Sequence, residues 1–97
     1  MEEEEKEVWA RVRPVSEVIA AVAADGELEL ANVATGERFT CDSQGAAMWV
    51  ALQQHEWRLD ATATELSRAW MMDSLRVRVA LGRWVEELQI AGLVEEA

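Results

Sequence analysis

The spacing of apolar positions changes period near the middle of the chain. Up to Cys41 they fall in short runs divided by turn residues; beyond it they recur at intervals of three and four. Ser16 to Ala24 is rich in Val, Ile and Ala and ends on Asp25-Gly26, a strong hairpin signal. Glu27-Leu28-Glu29-Leu30 alternates polar and apolar, as a half-buried strand does. Ala34-Thr35-Gly36-Glu37 supplies the second turn. Arg38 to Cys41 is then a third strand, with Phe39 and Cys41 on one side and Arg38 and Thr40 on the other. Pro14 is expected just before the first strand, where its missing N–H costs nothing. Val8 to Arg13, carrying Trp9, reads as an additional extended arm.

Three helices are expected in the second half. Asp42 or Ser43 can cap the first, which runs to about His55 with Ala46, Trp49, Val50 and Gln53 on one face. Arg58 to Ala61 reads as a linker, and Thr62-Ala63-Thr64-Glu65 fits a capping box that opens the second helix, with Ala63, Leu66 and Trp70 inward. Asp73 or Ser74 caps a longer third helix whose inward stripe is Val77, Leu81, Trp84, Leu88 and Ala91. Gly92 stands where a helix C-cap glycine belongs, and Leu93 can fold back onto the core. A three-stranded antiparallel sheet followed by three helices is an α+β, winged-helix-like layout. That layout serves DNA binding, peptide binding and dimerisation alike.

Length and charge narrow the choice. The 97 residues are expected to form one domain over 8–97, preceded by a disordered acidic tail over 1–7. Residues 2–7 hold five Glu and one Lys, so −4 of the net −10 lies in the tail and −6 in the rest. An acidic surface is a poor partner for a polyanion, whose binding rests on Lys and Arg replacing counterions. The three arginines of the third helix, Arg76, Arg78 and Arg83, do not form one basic stripe, so no nucleic-acid partner is expected. The longest apolar run, Val18 to Ala24, is too short to insert in a membrane. One cysteine and an acidic N-terminus fit a cytoplasmic protein.

Catalytic chemistry finds no foothold. With one Cys and one His, a metal site has no ligand cluster, and no cofactor is implied. Cys41 and His55 stand at opposite ends of the first helix, roughly 18 Å apart at 1.5 Å per residue, which is too far for a nucleophile and its base. The chain is read as a binding module and not an enzyme. Its most inviting surface is the outer edge of the third strand, since an unpaired edge accepts an extended peptide by strand addition. A peptide there pairs with the backbone of Arg38, Phe39, Thr40 and Cys41. It rests on a flank of the third helix, either Arg78, Gly82 and Val85 or Val79, Arg83 and Glu86. Trp49 and Trp84 are expected in the core beneath.

One run adds more. Thr35-Gly36, Phe39, then Cys41-Asp42-Ser43-Gln44-Gly45-Ala46-Ala47-Met48-Trp49 resembles the strand-to-helix entry of PqqD-like recognition elements, Leu-Asn-x-Thr-Ala-Ala-x-Ile-Trp. Thr62-Ala63-Thr64-Glu65-Leu66 is similar to that family's second-helix opening. Val85 to Val94 is similar to its Leu-x-x-Leu-x-x-x-Gly-Leu-Val ending. The likeness spans about residues 16 to 95. It implies a protein that holds the leader of a ribosomally made precursor peptide as an added strand between the third strand and third helix. It looks most like the stand-alone leader-binding protein of lasso-peptide biosynthesis, with a separate leader peptidase and macrocyclase as partners. The pyrroloquinoline quinone precursor chaperone is the alternative within the family, and a winged-helix DNA-binding protein the alternative outside it.

Overall fold

The turn chemistry read above shapes the sheet. A computed structural model describes residues 11–97; the acidic tail and Val8–Ala10, with Trp9, lie outside the described residues. After a short strand β1 (Val12–Pro14), the meander runs through β2 (Val18–Val22), β3 (Leu28–Asn32) and β4 (Arg38–Cys41). All three are antiparallel in the order β2-β3-β4, and Leu30 stands opposite both Ala20 and Phe39. Asp25 accepts a hydrogen bond from the Glu27 N–H and closes the first turn. Leu28, Leu30 and Asn32 are buried on the helical side, while Glu29 is exposed, as the alternation requires.

Helices α1 (Ser43–Gln54), α2 (Leu59–Trp70) and α3 (Ser74–Ile90) follow. Asp42 and Asp73 cap α1 and α3 by accepting from the N–H groups of Gly45 and Arg76, three residues on. The α3 stripe is placed as expected: Val77, Leu81, Trp84 and Leu88 are buried and Ala91 half-buried. On α1 the inward side is wider than the sequence suggests. Gly45, Ala46, Met48, Trp49, Ala51 and Leu52 are all buried between the sheet and the other helices. Val50 and Gln53, expected on the inner face, are exposed. Trp49 meets Trp57 edge-on at 4.9 Å and Trp84 at 6.5 Å, a three-ring centre to the core.

The capping box is a correction. α2 begins at Leu59, three residues before Thr62, and Arg58 at its cap position makes no side-chain bond. Thr62 is fully buried inside the helix, its hydroxyl donating to the Arg58 carbonyl at 2.6 Å. Burial of Leu59 recruits the extra turn, and Glu65 is left to a long contact with Arg68 at 3.7 Å on the surface. Each helix ends in the same way. The N–H of Trp57, Met72 and Leu93 reaches back five residues to the carbonyl of Leu52, Ser67 and Leu88. The left-handed position this requires is taken by Gly92 only after α3; Glu56 and Met71 hold it after α1 and α2, with φ of 58° and 53°.

The described end of the expected extended arm, Val12 and Arg13, is strand, but its pairing into a second, two-stranded ribbon was not expected. Beyond Gly92 the chain continues into β5 (Val94–Glu96), which pairs antiparallel with β1, Pro14 opposite Val94. Pro14 therefore precedes the meander but belongs to an extra strand, on a ribbon with room for a missing N–H. Arg13 and Glu95 form an exposed ion pair across the ribbon at 2.8 Å. Buried Asn32 joins ribbon and sheet: its amide donates to the Gly92 carbonyl while its oxygen accepts from the N–H groups of Ala34 and Thr35. No helix among the described residues is long and apolar enough to cross a membrane.

Candidate functional site

Hydrogen-bond phase decides what β4 offers. The Asn32 N–H donates to the Glu37 carbonyl, so this pair faces inward across β3 and β4. In an antiparallel ladder the bonded pairs alternate, which makes Leu30–Phe39 and Leu28–Cys41 bonded and Ala31–Arg38 and Glu29–Thr40 non-bonded. The other side of β3 agrees: Glu27 and Val33 bond to Ala23 and Glu17, so the odd residues of β3 serve β2. It follows that Arg38 and Thr40 turn their N–H and C=O groups away from the sheet. Among the described residues nothing pairs with that edge. Phe39 and Cys41 spend their backbone groups on β3.

The end of β4 lies against α3 and the first turn of α1. A Cβ built on Gly45 would stand 2.5 Å from the Cys41 Cβ, 3.3 Å from its sulfur and 3.4 Å from the Trp84 indole nitrogen. Glycine is therefore what lets strand, α1 and α3 approach this closely. Burial pushes the Cys41 thiol above its ordinary value. The Trp84 indole N–H works against that shift, and the nearby carboxylates of Asp42 and Glu87 add to it. Cys41 is a neutral, buried thiol, which suits a wall of the site and not a nucleophile. The Trp84 side chain, at the Cys41–Gly45 junction, marks the side of the α3 stripe that faces β4. At 100° per residue Ala80, Glu87, Arg76 and Arg83 follow it on that side, roughly 40–100° further round the helix.

The residues expected from the sequence thus occupy two places. Arg38, Phe39, Thr40 and Cys41 form the free edge and its inner face. Arg78, Val79, Gly82, Arg83, Val85 and Glu86 come together around one cavity of about 360 Å³, which they share with Arg11, Val12, Leu59, Gln89 and Glu96. That cavity faces the β1–β5 ribbon and the start of α2. Arg78, Gly82 and Val85 lie on the opposite side of the buried stripe from Glu87, so the structure does not bring them to β4. Trp84 and Glu87, on the strand side, were not among the expected site residues. Period alone marks Trp84 as core, and nothing in the sequence says which neighbour takes which flank. No group of three metal-binding side chains occurs among the described residues.

No protein-family model matches the chain, and no curated protein matches it in sequence. Its fold does match solved structures. The structure described as TbiB1 in complex with the TbiA(beta) leader peptide aligns with a TM-score of 0.78 and 22% identity, over 88% of this chain and 96% of that one. A lasso peptide synthetase B1 complexed with its leader peptide aligns with a TM-score of 0.72 and 16% identity, over 88% and 98%. The likeness at these identities is one of fold, and it is the fold that the resemblance to PqqD-like recognition elements implied.

Proposed function

We propose that this protein binds the leader segment of a ribosomally made precursor peptide as an extra strand on β4. The observation that carries the reading is the unpaired edge, where the backbone groups of Arg38 and Thr40 point outward beside the Trp84 and Glu87 flank of α3. Strand addition to such an edge satisfies the peptide backbone without regard to side chains, while the helix flank supplies selectivity. The match in fold to two proteins solved with leader peptides supports this ligand over the others a winged-helix layout admits. The same likeness favours a lasso-peptide pathway. There the bound precursor is handed to a separate leader peptidase and macrocyclase in the cytoplasm, and this chain takes no part in bond making. Arg38, Thr40, Trp84, Glu87 and Arg83 are the contacts proposed for the leader, with Phe39 and Cys41 holding the strand from within.

The test is titration of a fluorescein-labelled leader, taken from a precursor encoded beside this chain, followed by polarisation. Saturable binding by the leader, with none by the core segment of the same precursor, is the expected result. Equal retention of both segments, or of a DNA duplex at moderate salt, would remove the reading.

A further inference from the structure

The sheet has a second free edge. β2 ends it on the side away from β4, and among the described residues nothing pairs with that side. Ile19 and Ala21 bond to β3, so Val18, Ala20 and Val22 turn their backbone groups outward. The Val18 N–H is taken by the Val15 carbonyl at 3.0 Å; the N–H groups of Ala20 and Val22 have no such partner among the described residues. Sheet edges are ordinarily guarded by a charge, a proline or a bulge. Val18-Ile19-Ala20-Ala21-Val22 has none of these and pairs with β3 in unbroken register. Ile19 is 59% exposed and Val22 58%. Ala20 lies opposite Leu30, on the helical side of the sheet, yet Ala20 and Val22 are both exposed, so the helices stop short of this strand.

We propose that the β2 edge is where two copies of this chain pair, antiparallel about a two-fold axis, joining their meanders into one continuous sheet. A two-fold sets the same patch against itself, so the strand must complement its own sequence. It does so with the axis at Ala20. Ala20 then exchanges both its backbone bonds with the second copy's Ala20, and each Val22 N–H donates to the other copy's Val18 carbonyl. The side chains set opposite one another are Val18 with Val22, Ile19 with Ala21, and Ala20 with itself, all of them apolar. Charge favours the same register. The nearest carboxylate, Glu17, falls opposite Ala23, so no like charges meet along the strand although the chain as a whole is acidic. A pairing of five residues buries less than the roughly 800 Å² per partner of a standard interface, so the two copies join and part with concentration. A β4 edge stays open at each end of the joined sheet.

Sedimentation of the full chain tests this, at a salt concentration that screens the repulsion between two copies of net charge −10. Between micromolar and millimolar chain the mass should move from one copy toward two. Over the same range the N–H groups of Ala20 and Val22 should slow in hydrogen exchange resolved by residue, while those of Arg38 and Thr40 stay fast. Ala20→Lys and Ala20→Glu each set like charges together at the axis and should weaken pairing several-fold, and an equimolar mixture of the two should restore it. Circular dichroism shows whether the variants fold; if either does not, the exchange of the parent chain decides alone. A single copy at every concentration, with Ala20 and Val22 exchanging freely, overturns the proposal. So does pairing that leaves those two N–H groups fast, that survives both charged variants, or that the mixture does not restore. Slowing of Ala20 and Val22 by added leader and not by concentration would assign the edge to the peptide, and overturns it as well.

Discussion

Thr40→Pro separates backbone pairing from every other source of leader affinity. The Thr40 N–H faces away from β3, so proline removes no bond of the folded sheet. Proline is tolerated on sheet edges, and Phe39 before it is already extended, the state a following proline favours. The fold should therefore survive with little change in melting temperature. The bound peptide fares differently. It loses one hydrogen bond, worth about 0.5–1.5 kcal/mol net, and a carbonyl of its own is left facing the ring at about 1–3 kcal/mol if it is cut off from water. Together these come to about 1.5–4.5 kcal/mol, and every 1.4 kcal/mol is about tenfold, so affinity should fall by roughly tenfold to a thousandfold. Thr40→Val keeps the N–H and changes only an exposed side chain, so it should bind as the parent does. Polarisation titration beside a thermal melt reads both variants. A folded Thr40→Pro protein with unchanged affinity would refute strand addition at this edge.

Three further outcomes follow from the packing. Gly45→Ala drives a methyl into the Cys41 Cβ at the strand–helix junction and should cost about 1–3 kcal/mol, read as a lower denaturant midpoint; an unchanged midpoint would show that the junction can open freely. Asn32→Ala removes three hydrogen bonds between the second turn, the end of α3 and the sheet, and leaves the Ala34 and Thr35 N–H groups short of an acceptor. A loss of about 1–3 kcal/mol is expected, and one below about 0.5 would deny Asn32 that joining role. Met71→Gly should stabilise by about 0.5–1 kcal/mol, because Met71 holds a left-handed φ of 53° while its side chain is 92% exposed and packs on nothing; a lower melting temperature would contradict this.

Legibility followed the range of the interaction. The turn at Asp25-Gly26, the caps at Asp42 and Asp73, strand Arg38–Cys41 and the α3 stripe are all set by neighbours within a few residues, and all were readable. The β1–β5 ribbon joins positions as far apart as Arg13 and Glu95, and Val94-Glu95-Glu96 has no strand-like alternation to announce it. The start of α2 was missed because burial of Leu59 outweighed a local capping signal at Thr62. Helix ends at Glu56 and Met71 carry no glycine to mark them. The site divided in the same way. The strand half follows from turn and period, whereas the choice of α3 flank depends on Cys41 meeting Trp84, a contact across the fold.

The central claim is that the outward amides of β4 receive the leader, and hydrogen exchange resolved by residue tests it most directly. In the free protein the N–H groups of Arg38 and Thr40 should exchange fast and those of Phe39 and Cys41 slowly. Saturating leader should slow Arg38 and Thr40 by at least tenfold and leave the other two as they were. Unchanged exchange at Arg38 and Thr40, with the leader's protection falling instead on the Arg78 to Glu86 side of α3, would contradict the account.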